Sequence, residues 1–253
     1  MKSKETLRHE GSAVGKRGNK FEKDLVRILN EKENLESYKK EALTNDIYKL
    51  ILNKIILKNN IKPKEISKID ASDVIPKLNS GGNAKTDIFI KLYKNDREYI
   101  ETLSVKNSSK ALVSCHQYTY KDFGRVLDIE NKKLLKYFEL FQQNPSYKAF
   151  EKSLPSGYSV KEFTDFLTPL RKRFCEWVLR GMHDDVNLNA SDIQISNFFF
   201  YKKVNKFECF DYDLYINKLL YSPDIRKHYS VPFSWTYPSK RRGMSIQLKV
   251  PLI

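Results

Sequence analysis

Two residues with the chemistry of phosphodiester hydrolysis, Asp87 and Lys106, bracket a pair of expected strands. Thr86 to Tyr93 and Tyr99 to Lys106 are rich in β-branched and aromatic residues, and Asn95-Asp96 between them is turn chemistry. A hairpin centred near Asp96 and Arg97 sets Asp87 opposite Lys106, so a carboxylate and an ammonium meet at its open end. Metal-assisted attack of water on a phosphodiester needs that pairing. The carboxylate holds the ion, and the lysine orients the water or stabilises the crowded phosphorus. An ordinary cross-strand ion pair uses the same two residues, and such pairs are common on sheets.

Strand alternation puts Thr102, Ser104 and Lys106 on one face of the second strand, toward the space occupied by Asp87. Val105 points to the core, leaving its backbone carbonyl as an oxygen ligand. One carboxylate, one carbonyl and several retained waters suit Mg²⁺. Glu22, in Lys20-Phe21-Glu22-Lys23, is the best second acid, because Phe21 anchors its helix to the core. A solvated helix acid is the other reading of the same residue.

These residues need elements to position them. Met1 to Gly18 is polar and reads as a loose arm. From Asn19 the pattern is helical, with Phe21, Leu25, Ile28 and Leu29 on one face. Ile47 to Leu57 is a second helix, Pro63-Lys64-Glu65 opens a short one, and Pro76 to Asn83 is a loop that delivers the chain to Asp87. A polar link, Asn107 to Lys110, and a short extended piece, Ala111 to Ser114, follow the hairpin. Helical periodicity covers Leu127 to Phe150 and Val160 to Met182, Phe198 to Tyr212 reads as paired strands, and Ser234 to Leu252 as two strands around Ser239 to Gly243. The expected architecture is one α/β (α+β) domain, a mixed central sheet flanked by helices. Residues 19–130 form its catalytic core, and 131–253 a helical region followed by C-terminal strands.

Composition bounds the partners. With 253 residues, 40% hydrophobic and 30% charged, the chain reads as globular. No apolar run approaches the roughly 20 residues that span a bilayer, and no apolar core follows Met1 as in a secretory signal. Three scattered cysteines suit a reducing bacterial cytoplasm better than a disulfide framework or zinc site. His183 beside Asp184 and Asp185 reads as a helix-end acidic cluster. The net charge of +15 favours a polyanion, with nucleic acid foremost. The codon bias of an A·T-rich genome also inflates lysine.

Gln247 and Lys249 are two apart on an expected strand and leave the same face, where lysine suits guanine O6/N7 and glutamine donates or accepts. A solvated strand face is the alternative. Lys240, Arg241 and Arg242 in the adjoining turn suit phosphates, and Trp235 and Tyr237 suit packing.

Asp87 followed by Ser104-Val105-Lys106 resembles the core of the PD-(D/E)xK nucleases, and more narrowly the chain resembles the MspI-like type II restriction endonucleases. The matching stretches keep their order along most of the chain. They are Gly18 to Lys23, Gly81 to Asp87, Val105 to Lys110 with Val113-Ser114, Arg171 to Val178, Trp235 to Tyr237, and Gln247 to Lys249. The resemblance implies that Asp87 and the Val105 carbonyl bind Mg²⁺, that Lys106 is the catalytic lysine, and that Glu22 supports the site through water or metal. It implies base contacts to CCGG by Ser114, Thr236, Gln247 and Lys249, with the cut after the first C. Ser104 departs from the pattern: the superfamily has a carboxylate there and the MspI-like branch an asparagine. A hydroxyl is a weaker ligand, so one well-bound ion is expected rather than two. A palindromic target suggests a dimer, yet the family resembled can act as a monomer on such a site, so the expectation is a monomer or weak dimer. A structure-selective or repair nuclease and a non-catalytic basic DNA-binding protein are the alternatives.

Overall fold

The computed structural model describes residues 18–127, 130–183, 185–238 and 242–253. The chain divides into two compact units, Met1–Ser109 with Val186–Tyr212, and Lys110–Asp185 with Asp213–Ile253. Residues 186–212 thus return to the first unit after the segment 110–185.

The first unit carries helices α1 (18–30), α2 (Lys32–Lys39) and α3 (Asp46–Asn59), and strands β1 (Lys68–Ser72), β2 (Ile88–Lys94) and β3 (Arg97–Asn107). Later in the chain it adds β5 (Phe198–Lys203) and β6 (Lys206–Asp211), with the short helix α9 (Ser191–Gln194) before them. The five strands form one mixed sheet in the order β1-β2-β3-β5-β6, in which only β3 and β5 pair in parallel. The expected mixed α+β architecture is present.

The β2–β3 hairpin turns at Asn95 and Asp96, with φ of 47° and 61°. Those two residue types tolerate the left-handed region, and a two-residue turn of this kind matches the twist of its flanking strands. The register runs from Lys94↔Arg97 to Ile88↔Leu103. The turn thus lies one residue earlier than the expected centre at Asp96 and Arg97. Asp87 donates its N–H to the Leu103 carbonyl at 2.8 Å, and Lys106 lies beyond it rather than opposite. A slip of a whole pair preserves which side chains share a face, so the site survives the error.

Packing sets α1 against this sheet. Leu25, Ile28 and Leu29 are buried, and Phe21 stacks on Phe200 of β5, which pairs with Val105. At the other end of α1, the Asn30 amide bonds both ways to the backbone of Ala71, at 2.7 and 2.9 Å. The β3–β5 pairing is pinned by Glu101, only 3% exposed, which accepts from Lys58, Asn59 and Asn197 at 2.7–2.9 Å. A buried carboxylate so fully partnered escapes the large desolvation penalty of a lone charge.

The second unit holds β4 (Leu112–Tyr118), β7 (Ser234–Thr236) and β8 (Ile246–Pro251), in the order β4-β8-β7. Its helices are α4 (Tyr120–Val126), α5 (Lys132–Gln143), α6 (Tyr147–Ser153), α7 (Val160–Leu167), α8 (Arg171–Arg180) and α10 (Tyr212–Tyr221), whose first residue belongs to the other unit. The helix expected over Leu127 to Phe150 is two helices, broken before Pro145, and that over Val160 to Met182 is broken around Pro169. Each proline lacks an N–H to donate, and Asn144 before Pro145 leaves the helical region at φ −120° and ψ 66°, whereas Thr168 before Pro169 stays in it, so apolar periodicity runs across breaks it does not register. The core is aromatic, with Trp235 at its centre, its ring 5.3–6.2 Å from those of Phe123, Phe138, Phe141, Phe163, Phe174 and Tyr229.

Candidate active site

The loop before β2 turns at Gly81, whose φ of 81° strains any side-chain-bearing residue. Gln194 holds the loop by donating to the carbonyls of Pro76 and Lys77 at 3.0 and 2.9 Å. Asp87 follows at the mouth of the hairpin. Its Oδ2 accepts the Val105 N–H at 2.6 Å, with Ser104 Oγ at 3.4 Å and Lys106 Nζ at 3.5 Å. Lys106 Nζ also donates to the Val105 carbonyl at 2.9 Å. One ammonium therefore touches both oxygens expected to face a cation.

As a purely structural ion pair this arrangement has little to offer. The side chains of Lys106 and Asp87 keep 31% and 26% of their exposure at the long separation of 3.5 Å. Pairs of this kind contribute about 0–1 kcal/mol. The groups that would hold a cation are all oxygen: the Asp87 carboxylate and the Val105 carbonyl, with the Glu22 carboxylate within range of the Asp87 charge. Among the described residues no three His, Cys, Asp or Glu side chains gather into a cage. Few protein oxygens with the remaining positions left to water fit Mg²⁺ and do not fit zinc. Ser104 is buried beside Asp87, so its hydroxyl is placed to steady that carboxylate.

Glu22 faces the same charges. Burial first, and then the charge of Asp87, raise its carboxyl above the ordinary 4.5; Lys106 pulls it down and Asp73 pushes it up. Asp73, just past β1, was not among the residues expected at the site, because β1 itself carries little sequence signal. A raised folded-state value means that ionised Glu22 opposes folding near neutrality, an effect absent below the unfolded value of 4.5. Glu22→Gln is therefore expected to unfold at a higher urea midpoint than the natural chain at pH 7. The two midpoints should converge once the pH falls below about 4.5. Equal midpoints at pH 7 would show that neither burial nor the Asp87 charge penalises ionised Glu22.

In the second unit, Ile246, Leu248 and Val250 of β8 are buried and Gln247 and Lys249 take the other face. Lys249 pairs with Ser114 of β4 and Ser234 of β7, and Gln247 with Gln117 and Thr236. Ser114, Thr236, Gln247 and Lys249 are thus brought together, and Gln117 and Ser234 join them unforeseen. Arg242 is exposed, its guanidinium 5.2 Å from the Tyr237 ring; Lys240 and Arg241 lie outside the described residues. Trp235 is buried, as its assignment to packing requires. His183 lies 3.4 Å from Glu176, and Asp184 lies outside the described residues. Burial pushes the Cys209 thiol up to about 12 and raises that of Cys175 too, which disfavours a thiolate at either.

The family model described as restriction endonuclease MspI matches residues 2–250. The type II restriction enzyme BsuFI of Bacillus subtilis is 28% identical over 247 residues, covering 92% of this chain and 58% of its own length. The chain thus spans little more than half of that relative. The type II restriction enzyme MspI of Moraxella sp is 24% identical over 238 residues, covering 92% of this chain and 88% of its own. The crystal structure of MspI in complex with its cognate DNA matches with a TM-score of 0.76 at 21% identity, over 96% of this chain and 92% of that one. That match shows a shared fold. With the family model spanning nearly its whole length, the chain belongs to the MspI restriction endonuclease family.

Proposed function

We propose that this protein is a type II restriction endonuclease of the bacterial cytoplasm, hydrolysing duplex DNA at CCGG after the first C, with Mg²⁺ as cofactor. The observation that carries the reading is the Lys106 ammonium set 2.9 Å from the Val105 carbonyl and 3.5 Å from Asp87. Asp87, the Val105 carbonyl and Glu22 are the residues that would hold the ion. When bound, Mg²⁺ neutralises charge at the scissile phosphate and acidifies a water. Lys106 orients the attacking water and supplies positive charge where negative charge builds on the phosphate. Ser104 steadies Asp87 and stays outside the reaction.

Target choice falls to the polar face of the three-stranded sheet. Ser114, Thr236, Gln247 and Lys249 present donors and acceptors side by side there, suited to the major-groove edges of G·C pairs. Digestion of plasmid DNA with Mg²⁺, followed by mapping of the new ends, tests activity, target and cut position together. Discrete fragments whose 5′ ends begin CGG are expected. Nicking without sequence preference would point instead to a repair nuclease of the same superfamily. For Gln247→Ala and Lys249→Ala, a loss of about 1–3 kcal/mol in discrimination at a single base pair is expected. Uniform weakening on every DNA would move these side chains from base reading to phosphate gripping.

A further inference from the structure

We infer that Gln117 contacts a base edge and shares in choosing the target sequence. The inference rests on the restriction-endonuclease reading. In a regular strand Ser114 and Gln117, three apart, leave opposite faces. Here the register shifts between Ser114 and His116, so Cys115 is an extra residue opposite β8. Such a bulge re-aims the side chains that follow it. Ser114 therefore pairs with Lys249, and Gln117 pairs with Gln247 on the same face. The residues that period 2 would have placed beside Ser114 turn the other way. His116 and Tyr118 lie with their rings 3.9 Å apart, and Tyr118 is buried at 3.9 Å from the Trp177 ring.

Gln117 is exposed, and with Ser114 and Gln247 it lines a shallow hollow of 320 Å³. Its amide offers two donors and an acceptor, the equipment that base edges require. The row holding Gln117, Gln247 and Thr236 lies two residues along β8 from the row holding Ser114, Lys249 and Ser234. At about 3.4 Å per residue, that offset matches about two steps of stacked bases. Gln117 is accordingly placed to read at or next to the base pair of Gln247, and away from that of Lys249.

The test measures cleavage of duplexes carrying every single-base change in the target and its flanks, using the natural chain, Gln117→Ala and Gln117→Glu. Both variants should lose roughly 5- to 150-fold in discrimination at one base pair, the size of a base-edge contact. That pair should coincide with, or adjoin, the pair relaxed by Gln247→Ala. If the natural chain is specific and both variants keep its discrimination everywhere, or weaken evenly on all duplexes, Gln117 does not read bases. If the natural chain itself shows no preferred site, the restriction-endonuclease reading fails and takes this inference with it.

Discussion

Lys106→Ala is expected to lower cleavage by about 10²–10⁴-fold, the range of a positioned proton-transfer or charge-stabilising group. Site-specific binding should stay nearly unchanged. The side chain lies one residue before the end of β3, about a third exposed, and it donates to the Val105 carbonyl and Asp87. Removing it takes away a weak ion pair, so the fold should lose about 1 kcal/mol at most. In the proposed reading recognition falls to other residues, those on the three-stranded sheet of the second unit. Single-turnover cleavage and a gel-shift titration in Ca²⁺ separate the two effects. Cleavage at the natural rate would remove Lys106 from the mechanism, while joint loss of cleavage and binding would make it a DNA anchor. Lys106→Arg should not restore activity, since a planar fork does not replace a compact ammonium at such a point.

The second large effect is on stability. Trp235→Ala should destabilise the protein by about 3–5 kcal/mol, the usual cost of deleting a buried large aromatic side chain. Trp235 is 2% exposed and lies at the centre of the aromatic core of the second unit. Its backbone N–H donates to the Tyr147 hydroxyl at 2.8 Å, so β7 is tied to α6 at the same residue. Urea unfolding followed by circular dichroism gives the measurement. Trp235→Phe should cost much less, because it keeps a packed ring and removes an indole N–H that has no hydrogen-bond partner. An alanine variant as stable as the natural chain would mean that this core has rearranged around the gap. Loss of β7 should also blur reading at Thr236, its neighbour on the polar face.

The hairpin was legible because its information is local. Turn residues at Asn95-Asp96 and β-branched runs on either side specify two strands, and alternation specifies their faces. The one-residue error in the centre changed the partner of Asp87 without changing its face. Helix breaks at Pro145 and Pro169 were present as proline but masked by apolar periodicity that continues beyond them. The β1 strand is not legible in the sequence because Lys68 to Ser72 is short and half polar, and pairs with β2 through tertiary contact.

By itself, the sequence determined which groups can act and which faces they leave. Asp87, Ser104, Val105 and Lys106 lie within one hairpin, and Gln247 and Lys249 share one strand, so short-range periodicity was enough to group them. Only the tertiary structure decided what joins them. Glu22 comes within range of the Asp87 charge because Phe21 stacks on Phe200 and β5 pairs in parallel with β3, a pairing between segments far apart in sequence. Gln117 joins Ser114 because a bulge at Cys115 breaks the period that would have separated them. Both depend on the packing of the whole chain, and no local pattern of residues encodes packing at that distance.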